Sequence, residues 1–499
     1  MAGEAYNTLV HKLTQVATLG SVSSVLGWDE QVNLPPEGAG HRAAQLGLLA
    51  GVVHGRATDP ALGEAIDAAG ETTQEGSPEA SVVRNARRRF DRSTKLPSRL
   101  VTELSETTTL AQQAWVDARG KSDFAAFQPW LEKVISLKRE EADALVGDGQ
   151  ARYDALLDEY EPGMTGADVT AIFEPLSGRL SQLVRDVADS GTTVDTTPLA
   201  GPYGIPGQRE LSRRAAAAIG FDFAAGRIDE AAHPFCSGFG PGDCRLTTRY
   251  DETFLSQGLY GTLHEAGHGL YEQGLPREHF GTCLGESASL GVHESQSRMW
   301  ENAVGRSREF WTFLHPHVTE LFETAREFSE EDFFLACGEV TPSLIRVEAD
   351  EVTYNLHVLL RFELERDLID GDLAVADLPE RWNGRFAELF GIDVPDDARG
   401  CLQDVHWAAG LIGYFPTYTL GNLYAAQLWQ AAEAALGPLA PQVARGEFAP
   451  LLSWLRENVH DHGHRYPAAE LIERATGQTL SADPLIDSLK AKCNRVYGV

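Results

Sequence analysis

The stretch FLSQGLYGTLHEAGHGLYEQ, residues 254–273, constrains this chain more than any other. Its apolar residues recur at three and four, the period of an amphipathic helix. At about 100° per residue, Leu255, Leu259, Leu263, Ala266 and Leu270 form one stripe, and His264 and His268 fall on nearly the opposite side. Histidines that served only as core would lie within the stripe, so this pair is expected to face a cleft. Residues four apart are offset by about 40° and stand one turn apart. Both imidazoles therefore reach one ion, the arrangement of an H-E-x-x-H zinc motif. Glu265 points in a neighbouring direction, placed to hold a water rather than to bind the ion.

A catalytic zinc site takes three protein ligands and keeps a fourth position open. The segment SLGVHESQSRMWEN, residues 289–302, predicts a second helix that supplies the third ligand. Spacing alone leaves Glu286, His293, Glu294 and Glu301 open for that place.

Two further stretches, SLIRVEADEVTYNLHVLLRFELERDLI (343–369) and NLYAAQLWQAAEAAL (422–436), carry the same helical period. A mostly α fold follows. The best strand candidate is CRLTTRY, residues 244–250, which predicts one small sheet near the site. Gly, Pro and Asp cluster at 191–208 and 233–244, which read as loops, and 69–99 reads as a polar helix-and-loop surface. With no clear linker and no fixed-period repeat, residues 1–499 are expected to form a single domain.

Lys and Arg number 42 against 73 Asp and Glu, a net charge of −31. That balance opposes binding to nucleic acid or to anionic membrane surfaces. Only seven of the 42 basic residues are lysine, so the acidity reads either as adaptation to a salty cytoplasm or as compositional bias. The opening residues lack a basic segment followed by an apolar core, and no stretch has the apolar length of a membrane span. A soluble, cytoplasmic protein is expected. The six cysteines lack C-x-x-C spacing and read as reduced, mostly buried thiols.

Six short motifs follow one another along the chain: His233-Pro234-Phe235, DCRLT (243–247), HEAGH (264–268), HESQ (293–296), IRVEAD (345–350) and GCLQDVHW (400–407). This series resembles the thermostable metallocarboxypeptidases of peptidase family M32, the carboxypeptidase Taq type. The opening WDEQVNLPPEGAGHRAAQL, residues 28–46, is also similar to that family's first helices, except that Leu34 stands where a methionine is more usual. The resemblance implies an elongated, almost wholly helical gluzincin: two lobes around a deep groove, related to the angiotensin-converting-enzyme and neurolysin architecture. It implies a homodimer acting on peptides. It also implies that His264, His268 and Glu294 bind zinc, with cobalt able to substitute, and that Glu265 is the general base.

Hydrolysis of a peptide bond needs an activated water, a proton for the leaving amine and donors for the oxyanion. By the same resemblance His406 and Tyr414 or Tyr418 supply the last of these. Arg346, Arg245, His233 and Gln403 lie in motifs tied to substrate recognition, and His233 and Phe235 are placed to limit substrate length. The expected activity is removal of C-terminal residues from peptides. Rival readings are an oligopeptidase or dipeptide-releasing peptidase and, from another class, a non-enzymatic peptide-binding metal protein. Glu265 argues against the last, since a structural site needs no base beside an open position.

Overall fold

All three long periodic stretches fold as helices. In the computed structural model, which describes residues 2–147 and 149–499, they become Leu255–Gly274, Thr353–Asp370 and Pro416–Leu436. The second starts later than its periodicity suggests. Asp350 accepts the Val352 and Thr353 amides at 2.9 and 3.0 Å and the Thr353 hydroxyl at 2.6 Å. That side chain satisfies the helix's orphan donors, so the IRVEAD motif stays outside it.

The chain divides into two compact units. One comprises Met1–Ser93, Asp195–Cys337 and Tyr424–Leu480; the other comprises Thr94–Val194, Gly338–Leu423 and Ser481–Val499.

The first unit is built around four helices that matter here: α1 (Ala2–Val32), α2 (Ile205–Ile219), α3 (Leu255–Gly274) and α4 (Leu290–Arg298). Leu263, Ala266 and Leu270 of α3 are fully buried, as the stripe predicts. Strands β1 (Gly226–Glu230), β2 (Cys236–Gly240) and β3 (Asp243–Thr248) form a sheet in the order β1-β3-β2, with β1 parallel and β2 antiparallel to β3. The expected loop at 233–244 therefore contains a strand. CSGFG lacks β-branched residues and takes its conformation from pairing with β3, through a register shift between Gly238 and Gly240. The sheet packs closely on α3 at Gly269, where a Cβ would lie 2.9 Å from Leu246 and 2.7 Å from Phe221.

In the second unit α5 (Thr353–Asp370) is buried on every side. Leu356, Val358, Leu360 and Leu368 are fully buried, and so are the polar His357, Arg361 and Glu365. Around it pack the helices Phe124–Leu145, Gly166–Asp189 and Leu378–Phe390. Residues 391–415, which carry the GCLQDVHW motif, contain no helix or strand. Among the described residues no helix is long and apolar enough to cross a membrane.

Candidate metal centre

Helix α3 presents His264 and His268 from one face, and α4 meets it at Gly267, between the two histidines. A Cβ at Gly267 would lie 2.6 Å from the Gln296 carbonyl oxygen and 2.6 Å from the Ser297 Cα, so only glycine permits this approach. Ser289 starts α4 by accepting the Val292 amide at 3.0 Å. Glu294, on the second turn, then brings Oε2 to 3.6 Å from His264 Nε2 and 3.4 Å from His268 Nε2. One donor atom from each of the three lies within 4.8 Å of the others. Ligand bonds of about 2.0–2.1 Å at tetrahedral angles put neighbouring donors about 3.3–3.4 Å apart. The triangle fits a zinc-sized ion.

The other two residues that spacing offered from 293–301 stand behind the histidines. His264 Nδ1 lies 2.9 Å from Glu301 Oε2, so it donates there and leaves the Nε2 lone pair facing Glu294. His293 Nε2 lies 2.8 Å from Glu272 Oε1, and its Nδ1 is 2.6 Å from His268 Nδ1. With the His293 proton given to Glu272, His293 Nδ1 accepts from His268, whose Nε2 lone pair is again turned inward. Both histidines thus have the tautomer a metal ligand needs, fixed from outside by hydrogen bonds. Glu286 lies elsewhere, paired with Arg89.

Two arginines steady the acids. Glu294 Oε1 accepts from Arg298 Nε at 2.6 Å, and Glu301 faces Arg298 at 3.3 Å and Arg306 at 3.0 Å. Burial would raise the Glu294 carboxyl, but Arg298, His264 and His268 hold it well below the usual carboxylate range. Burial pushes His268 down to about 4. Glu265, 6% exposed, has no such cation beside it. Burial pushes its carboxyl up to about 7, with His264 opposing the rise and Glu294 adding to it. In the metal-free protein this carboxyl exchanges a proton near neutrality.

A family model described as Carboxypeptidase Taq (M32) metallopeptidase matches residues 8–493. The chain belongs to the M32 metallocarboxypeptidase family. It is 46% identical over 511 residues to the thermostable carboxypeptidase 1 of Thermus thermophilus, covering 99% of both chains. Carboxypeptidase 1 of Bacillus subtilis is 38% identical over 487 residues, with 97% of each covered. The solved M32 carboxypeptidase of Deinococcus radiodurans superposes with a TM-score of 0.95 at 42% identity, over 99% of this chain and 100% of that one. As an M32 metallocarboxypeptidase the chain is a peptidase, and its family implies a metal that the donor set above is suited to hold.

The remaining M32 motif residues fall in two places. In the first unit Arg245 is held by Asp243 through two bonds of 2.9 Å and lies over the Trp28 ring at 4.3 Å, so the opening motif packs on DCRLT. His233 is exposed in the β1–β2 connection, its carbonyl 3.5 Å from the Thr247 hydroxyl. In the second unit Arg346, 5% exposed, turns Nε and Nη2 onto Asp404 at 3.1 and 2.8 Å and Nη1 onto the Tyr354 hydroxyl at 3.0 Å. Gln403 is a clamp: Oε1 accepts the Arg346 amide at 2.9 Å and Nε2 donates to the Leu344 carbonyl at 3.0 Å. His406 Nε2 lies 3.2 Å from the Tyr418 hydroxyl, with the Tyr414 ring 5.5 Å away. Burial pushes His406 down to about 4, against the pull of Asp404, so the ring is neutral at pH 7. Sequence reasoning did not single out Glu272, Arg298 or Arg306. Their signal, visible only with the metal helix in hand, is acids and arginines at helical spacing from the ligands.

Proposed function

We propose that the chain is a zinc carboxypeptidase that removes C-terminal residues one at a time, with Glu265 as general base. The observation that carries this is the triangle of His264, His268 and Glu294 beside the buried Glu265 carboxyl, which pairs with no lysine or arginine among the described residues. Those three residues would hold a zinc ion, which would supply a Lewis acid to polarise the scissile carbonyl and acidify water. Glu265 takes the water's proton, and its raised affinity for that proton suits it to pass the proton on to the leaving amine. His406 and the Tyr418 hydroxyl donate to the oxyanion, with Tyr414 next to them; a neutral imidazole is the right state for a donor that must not carry charge before the transition state.

Arg346 reads the substrate's free carboxylate. Arg346 and Arg361 share one counter-ion, Asp404, at 2.8 and 2.6 Å, so Arg346 has half a carboxylate's pairing rather than a partner of its own. Arg245 is matched one to one by Asp243 and is the weaker candidate.

The test uses a blocked dipeptide with a free C-terminus and the same dipeptide as its amide. A carboxypeptidase releases a free amino acid from the first and cleaves the second far more slowly. Equal cleavage of both makes the chain an oligopeptidase. In parallel, Glu265→Gln is expected to abolish turnover while keeping full zinc content; zinc lost in step with activity refutes the base assignment.

A further inference from the structure

Residues 391–415 fold as turns closed by local main-chain bonds, such as Leu411 N–H to the His406 carbonyl at 2.9 Å, and contain no helix or strand, so side chains tie the turn that carries His406 to the rest of the unit. Helix α5 does this with two fully buried residues four apart, hence on one face. Arg361 Nε donates to Asp404 Oδ2 at 2.6 Å, two residues before His406. One turn on, Glu365 Oε1 accepts from Trp407 Nε1 at 2.9 Å, immediately after His406, and Oε2 accepts the Gly413 amide at 3.0 Å. A third donor, the Tyr153 hydroxyl, reaches Glu365 Oε2 at 2.9 Å from outside the segment.

A carboxylate buried among these groups is costly to fold around. Burial raises its pKa to about 7, opposed by bonds from Trp407, Gly413 and Tyr153. An apolar side chain would fill the same space without that penalty, but it could not accept from two separate points of one irregular segment. The two ties flank the path from His406 to Tyr414 and set where the imidazole stands.

We propose that Glu365 is the positioning residue of His406, holding Trp407 and Gly413 against α5 so that the imidazole is fixed before substrate arrives. This rests on the reading of His406 as an oxyanion donor.

The test is steady-state kinetics on the blocked dipeptide, with zinc content and melting temperature, for single variants and one double variant. Glu365→Gln keeps the size but carries one NH2. At the Oε1 position that group opposes the Trp407 N–H, and at Oε2 it opposes the Gly413 N–H, so one tie is lost in either orientation. Tyr153→Phe removes the third bond and leaves both ties.

The expected result is a kcat about 10- to 100-fold lower for Glu365→Gln, the scale of a small misplacement of a catalytic group. KM should stay within about twofold, because an oxyanion contact is made only in the transition state. Tyr153→Phe should lower the melting temperature and keep kcat. On a His406→Ala background Glu365→Gln should cost nothing further, since it acts through that ring. If Glu365→Gln does not fold, Trp407→Phe, which removes Nε1–H and keeps a ring, is judged by the same criteria.

A wild-type kcat in Glu365→Gln, or the same fold loss with and without His406, overturns the positioning role. A wild-type kcat in His406→Ala instead refutes the oxyanion role of His406, so the two failures are distinguishable.

Discussion

Glu301 offers the sharpest measure of how the candidate metal centre is held, because it bonds His264 on the side of the ring away from Glu294. It accepts from His264 Nδ1 at 2.9 Å, and Arg298 and Arg306 keep it ionised at 3.3 and 3.0 Å. Glu301→Gln replaces a charged acceptor with a neutral one of the same shape. A hydrogen bond to a charged group contributes roughly 1.5–3 kcal/mol, about twice a neutral one. Losing half of it weakens the hold on the imidazole and lowers the basicity of Nε2. Removing such an outer partner typically costs about 10- to 100-fold in metal affinity, or about 1.4–2.7 kcal/mol, which overlaps the estimate from the single bond. The assay is a competition titration of the metal-free protein with zinc and a coloured chelator, alongside activity at saturating zinc. Affinity should drop within that range and activity should recover when zinc is in excess. An unchanged dissociation constant would show that the His264–Glu301 contact does nothing for the ion, and the assignment of Glu301 to a supporting place would fall.

Two other measurements probe charge. In the metal-free protein Glu265 has its pKa raised from 4.5 to about 7 by burial. The group is neutral in both states below pH 4.5, and the penalty for ionising it when folded grows to its full size above pH 7. It amounts to about 3 kcal/mol. Glu265→Gln should therefore melt higher than the wild type at pH 8 and alike at pH 4, as seen by calorimetry of chelated protein; equal melting at pH 8 refutes the buried-charge argument. If the −31 charge is an adaptation to salt, folded fraction and activity should rise from dilute buffer to molar salt, well past the range where a Debye length of about 10 Å at 0.1 M already screens most pairs. Full stability in dilute buffer leaves compositional bias as the explanation.

Periodicity is enough to place His264 and His268, because a helix packing its stripe on a core has only one other face to offer. It cannot choose Glu294 over His293 or Glu301. That choice depends on where α4 crosses α3, a contact made at Gly267 with residues about thirty positions away in the chain. Arg346 reads as a cation in a motif, yet nothing in its neighbourhood announces Asp404, 58 residues on. Glu365 is illegible for another reason: α5 is buried all round, so burial reaches polar residues that its apolar period does not mark. Strand β2 escaped notice because its pairing, rather than its residues, makes it a strand.

The contact at Gly267 has one more effect. Two helix backbones meet there with no side chain between them, so the spacing of the His264, His268 and Glu294 donors rests on main chain, which does not repack. A calcium ion, with ligand bonds of about 2.3–2.6 Å and six to eight oxygens, would need the helices to part. Magnesium, which keeps its waters and prefers oxygen on all six sides, finds two imidazoles in its place. Zinc and cobalt take nitrogen and oxygen together at the shorter distance. The glycine in HEAGH thereby sets a donor spacing suited to ions with bonds near 2 Å, which weighs against calcium by size, while the two imidazoles weigh against magnesium.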